Sequence, residues 1–205
     1  MKQLLSIIFT LSLALSASFA NASLTPQQVA QKTAAVVSNA KTISATFTFS
    51  GNGRKSQGSI KSSGNKFSVI LPEVSTWFDG KTMYTYNPRT VETTVITPTA
   101  AELMESNPLL YVKGAGSNFT YKFSTVKRTG KYVVDLTPLK KNSEIKKMTI
   151  TVNSTTFNPE RIIVTTLGGV LTIDITSFKT GVEIPASEFN YPKSKYPKAE
   201  IIDLR

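Results

Sequence analysis

Along most of this chain apolar and polar residues alternate with a period of two. In ISATFTFS (43–50), Ile43, Ala45, Phe47 and Phe49 share one side and Ser or Thr take the other, the mark of a strand with one buried face. Comparable segments follow at 57–63, 66–71, 74–78, 82–87, 90–97, 118–127, 131–137, 145–153, 160–167 and 170–178, so eleven strands are expected. Turn-forming residues separate them: Gly51-Asn52-Gly53, Asp79-Gly80, Asn87-Pro88, Gly130-Lys131, Asn158-Pro159 and Gly168-Gly169. Asp-Gly and Gly-Gly suit two-residue hairpins, which join antiparallel neighbours. The expected fold is mainly β with a few helices, a single curved antiparallel sheet of eleven strands or a barrel.

Two stretches leave this pattern. Leu24-Thr25-Pro26-Gln27-Gln28-Val29 reads as a helix start, with Thr25 as N-cap, Pro26 at the first helical position, Gln28 completing a capping box, and Leu24 and Val29 as a staple. That helix should run to Asn39, with Val29, Val36 and Val37 on one face. Between strands, PTAAELMESNPLLYV (98–112) begins as a helix, is cut at Asn107-Pro108, and ends in Leu109, Leu110 and Val112. A helical insertion interrupted by proline suits a lid over one face of the sheet, and equally a plain connection packed on the core.

Composition narrows the setting. Lys2, the apolar run from Leu4 to Phe19 and Ala20-Asn21-Ala22 have the form of a cleaved export signal over residues 1–22, leaving one domain over 23–205. The run is shorter than the roughly 20 apolar residues a membrane span needs. The chain has no cysteine, hence neither a disulfide nor the N-terminal thiol that lipid anchoring requires, so a soluble exported protein is expected. Without Lys2 there are 23 basic against 13 acidic residues, a balance that favours anionic surfaces or only solubility.

Histidine is absent too, which removes Ser-His-Asp and Cys-His nucleophile systems and most zinc sites. The acids that stand in strands, Glu92, Asp135 and Asp174, each read as the solvent-side member of an alternating run, not as a glycosidase pair. No catalytic residue, cofactor or metal is expected. In Tyr121-Lys122-Phe123 and Lys131-Tyr132 alternation sends aromatic and lysine to opposite faces, so no nucleic-acid surface is expected either.

What stands out is a surplus of large side chains assigned to one face: Phe47, Phe49, Phe67, Val69, Trp77, Tyr84, Tyr86, Phe119, Tyr121, Phe123 and Tyr132. The cover for that face is barrel closure, a second protein or an apolar ligand. Alternation alone does not choose among them.

At DGKTMYTYNP (79–88) the chain resembles a family, the periplasmic outer-membrane lipoprotein carrier LolA, whose hairpin reads D-G-x-x-(Leu/Met)-(Trp/Tyr)-x-Tyr-(Asn/Asp)-P. ISATFTFS resembles its first strand, Lys66-Phe67 falls at its strand aromatic, and NPLLYV resembles its lid helix. YVVDLTPLKKNSEIKKMTITV is similar to its F-x-L-x-P hairpin and following strand, and Glu188-Phe189-Asn190-Tyr191-Pro192 to its closing F-x-F-x-P. The resemblance implies an unclosed barrel with a helical lid, binding acyl chains at Phe47, Phe67, Tyr84, Tyr86, Leu109, Leu110 and Val112. It further implies a monomer whose partners are acylated lipoproteins, an inner-membrane ABC-type lipoprotein release complex and an outer-membrane lipoprotein acceptor. The chain departs from the family where F-x-Q becomes Phe47-Thr48-Phe49, and where the Arg-Pro that helps latch the lid becomes Ser63-Gly64. A lipid-binding or partner-docking sensor module of the same fold remains the other reading.

Overall fold

The structure is a computed structural model that describes residues 23–51 and 53–205. The expected export signal at 1–22 lies outside the described residues. Helix α1 (Pro26–Asn39) starts where the sequence places it: the Thr25 side chain accepts from the Gln28 amide and the Gln28 side chain accepts from the Thr25 amide, satisfying two donors that a helix start leaves free.

Strands β1 (Thr42–Gly51), β2 (Arg54–Ser63), β3 (Lys66–Ile70), β4 (Ser75–Phe78), β5 (Met83–Asn87) and β6 (Glu92–Ile96) follow as a meander. Helices α2 (Ala100–Ser106) and α3 (Leu109–Gly114) come next, then β7 (Phe119–Phe123), β8 (Lys131–Pro138), β9 (Ile145–Asn153), β10 (Pro159–Thr166) and β11 (Gly169–Thr180). All eleven expected strands are present. A twelfth, β12 (Glu200–Asp203), lies parallel to β6 after two single-turn helices, Ala186–Phe189 and Lys193–Lys195. Four residues behind a Pro- and Lys-rich stretch hold too little alternation to be read as a strand.

The strands form one sheet in the order β12-β6-β5-β4-β3-β2-β1-β11-β10-β9-β8-β7. Its edge strands, β12 and β7, do not pair, so the barrel stays open. The long central pair β1 and β11 closes the two meanders onto each other, with one extra residue, Thr176, on β11 where Thr46 pairs Ser177 and Phe47 pairs Ile175. The core lies on one face of the sheet, where Ile43, Ala45, Phe47, Ile60, Phe67, Val134, Leu136, Ile150, Ile162 and Ile173 are buried with Val29 and Val37 of α1. We call this the inner face. α1 lies across β7 and β8 and against α3, and α3 reaches β10.

Candidate functional site

The inner face and the two short helices over it make the site. α2 is capped by the same reciprocal device as α1, between Thr99 and Glu102. Asn107 then forms the joint: its Oδ1 accepts from the Leu109 amide at 2.9 Å, its amide donates to the Leu103 carbonyl, and its carbonyl accepts from the Leu110 amide. Pro108, whose ring fits the first turn of a helix but not its interior, starts α3 on a new axis. α3 therefore points Leu109 and Val112 inward, at 3% and 0% exposure, into one apolar cluster with Phe47 and Phe67. Leu110, between Leu109 and Val112 in sequence, is half-buried.

Apolar packing holds α3 down on the core. Among the described residues the segment from Thr99 to Ser117 makes no ion pair and no side-chain hydrogen bond to the sheet or to α1. Gly116 passes so close to α1 that a Cβ there would stand 3.1 Å from the Ala34 methyl. Where the sequence offers no latching arginine, the structure offers contact with α1.

Beside the lid runs a groove of about 570 Å³, lined by Ala100, Ala101, Met104, Tyr111, Ile145 and Leu167, with Glu105 and Glu144 at its edge. Its size falls in the range of about 300–1,000 Å³ usual for ligand clefts. Burial raises the Tyr111 phenol above its ordinary pKa, and the charges of Glu105 and Glu144 raise it further, so the hydroxyl stays protonated and available as a donor. A second cleft, of about 640 Å³, opens at Phe47, Gly58, Leu71 and Thr176. Gly58 is needed there, because a Cβ would fall 2.9 Å from the Ile70 carbonyl and 3.0 Å from the Phe47 ring.

Leu110 is half-buried on α3, and of the other six sequence-derived positions Phe47, Phe67, Leu109 and Val112 belong to the buried apolar cluster of the inner face. Tyr84 and Tyr86 do not. Cross-strand pairing puts Phe67, Phe78 and Met83 in one row on the inner face, which turns Trp77, Tyr84 and Tyr86 outward. The cover they need comes from the chain's own C-terminal segment. Tyr191 stacks on Tyr84 at 5.5 Å, meets Trp77 edge-on, and accepts a hydrogen bond from Thr93, while Tyr196 lies 4.0 Å from Tyr86 between ring centres. The single face of eleven large side chains is thus two faces, each with its own cover. Every residue of β4 is buried for that reason.

Two of the three strand acids are held by neighbours. Asp135 accepts from Thr149 at 2.7 Å and pairs with Lys147 at 3.0 Å, Asp174 pairs with Arg161, and Glu92 stands half-buried on β6. The described residues contain no group of three or more acids that would hold a metal ion. Nor is any described helix long and apolar enough to cross a membrane.

Among solved structures, an uncharacterised conserved protein from Thermus thermophilus has this fold, with a TM-score of 0.57 and 12% identity over 86% of this chain and 98% of that one. A LolA superfamily protein from Nitrosomonas europaea (TM-score 0.39, 13% identity, 82% and 98% covered) is a looser match. So is a putative outer membrane lipoprotein-sorting protein domain from Vibrio parahaemolyticus (0.44, 11%, 84% and 98%), and neither adds weight. No curated protein matches the sequence. The family model described as outer membrane lipoprotein carrier protein LolA matches residues 15–167, well over half of the chain. By that match the chain belongs to the outer membrane lipoprotein carrier protein LolA family.

Proposed function

We propose that this protein is a periplasmic carrier that takes the acyl chains of lipoproteins between its sheet and its 98–112 lid, without chemistry on them. The observation that carries the reading is a two-piece lid plugged into an open sheet by Leu109 and Val112, with no polar link to the sheet, next to an apolar groove. Such a lid exchanges its own side chains for a guest of the same chemistry.

Energetics explain why a carrier of this kind is needed. A chain of roughly 16 carbons gains on the order of 12 kcal/mol from burial at about 0.8 kcal/mol per CH₂, so an acylated protein does not leave a bilayer unaided. The sheath must nearly match that value and then be given up, which favours displaceable apolar packing over a rigid, prefilled pocket. In this reading Phe47 and Phe67 form the wall and Leu109, Leu110 and Val112 the cover. Tyr84 and Tyr86, on the other face, take no part. An export signal at 1–22, loading from an inner-membrane ABC-type release complex and delivery to an outer-membrane acceptor complete the proposal.

Replacing Leu110 with Glu tests the site. Leu110 is half-buried and tolerates the change, whereas Phe67, at 2% exposure, would leave an unpaired carboxylate in the core. The L110E protein should keep its melting temperature and lose binding of a fluorescent fatty-acyl probe by tenfold or more; equal binding by both proteins would overturn the assignment.

A further inference from the structure

The hairpin joining β7 to β8 carries a surface that acyl binding does not use. Phe123, ending β7, and Val126, in the loop, are 45% and 53% exposed. Phe123 ends a ladder of rings: it stacks on Tyr132 of β8 at 6.0 Å, and Tyr132 stacks at 6.2 Å on Phe157 of the β9–β10 turn. Lys32 of α1 stands 5.3 Å from the centre of that last ring. Phe157 is held at φ 57°, a left-handed conformation uncommon for a bulky residue.

Positive charge surrounds the ladder. Lys127 and Arg128 follow Val126 directly, and with Phe123, Lys131 and Tyr132 they line a cleft of about 360 Å³. From residue 106 to residue 134 the chain has five basic residues and no acid. Among the described residues Lys127 and Arg128 have no acidic partner, while Lys131 is neutralised by Glu160.

We propose that this hairpin tip docks on the surface of an anionic lipid bilayer. Phe123 and Val126 enter the boundary between headgroups and acyl chains, Tyr132 sits at headgroup level where amphipathic rings gather, and Lys127 and Arg128 meet the lipid phosphates. Two apolar side chains and two free cations give a weak, reversible attachment. Single-stranded nucleic acid suits the patch less well, because it needs rings free to stack on bases and these rings stack on one another.

The surface stands apart from the lid groove. β9 starts at Ile145, on the groove, and ends at Asn153, which pairs with Lys131 beside the hairpin, a distance of about 27 Å for a strand of this length. Docking therefore tethers the molecule with its groove held off the membrane, and the attachment is measured with no acyl cargo present.

The test is co-sedimentation of the full chain with vesicles of phosphatidylglycerol and phosphatidylethanolamine against vesicles of phosphatidylcholine. The chain should sediment with the anionic vesicles only, and less so as salt is raised. Each basic side chain beside an anionic surface is worth about a fivefold gain in partitioning, so the double variant K127E/R128E should fall by at least about 25-fold. V126D should weaken binding as well, and circular dichroism should show both variants folded. Equal sedimentation with both vesicle types, none with either, no effect of the charge reversal, or capture of a single-stranded oligonucleotide in place of vesicles would overturn the proposal.

Discussion

Tyr121 shows what one atom costs in this fold. It stands on the inner face of β7 opposite Leu136, packed against the core, and its buried hydroxyl has no hydrogen-bond partner among the described residues. Burial accordingly raises its pKa. A buried hydroxyl left unpaired costs about 1–3 kcal/mol, so Tyr121→Phe should raise the urea-unfolding free energy by about 1 kcal/mol. A fall in stability would mean that the hydroxyl is bonded in solution. Phe47 and Phe67 were legible at this scale as core positions because each stands in an alternating run flanked by Ser, Thr or Lys on the other face. Trp77, Tyr84 and Tyr86 were not, because alternation tells which residues share a face but not which face is inner when both are covered. The covering rings, Tyr191 and Tyr196, lie more than a hundred residues further on, in a segment with no period of its own.

At the scale of elements, the lid is two short helices and a joint. Seven residues in α2 and six in α3 are too few to hold a helix alone, so packing and caps sustain them. Asn107 carries the joint. It is 5% exposed, and its side-chain oxygen is the partner of the Leu109 amide at the start of α3. Asn107→Ala leaves that amide without its partner, at a cost of about 1–3 kcal/mol. Amide hydrogen exchange over residues 100–115 should then speed up by roughly tenfold or more, while β9 and β10 keep their rates. A uniform change across the molecule would show that the lid does not open as a unit. The break in this lid was written in Asn107-Pro108, just as α1 was written in Thr25, Pro26 and Gln28. How the lid is held was not, because the contact between α1 and α3 joins positions some eighty residues apart and leaves no local pattern.

For the molecule as a whole, the decisive feature is an open sheet with unlike covers on its two faces. The outer cover is a fixed clasp: five aromatic rings, the Thr93–Tyr191 hydrogen bond and an added parallel strand hold the C-terminal segment down. The inner cover is a lid packed by apolar contact without polar links to the sheet. That asymmetry directs any opening to the inner face and gives the family resemblance a physical basis. The curled meander was legible in the alternating strands and their turns, the openness of the barrel came only with the family resemblance, and the clasp was not legible at all. Mass spectrometry of the protein extracted from its own cells without detergent tests the central claim most directly. The carrier function predicts that acylated species co-purify with the folded chain and are lost from the Leu110→Glu variant. A chain free of acyl species that instead runs on gel filtration as a stable complex with another protein would contradict it.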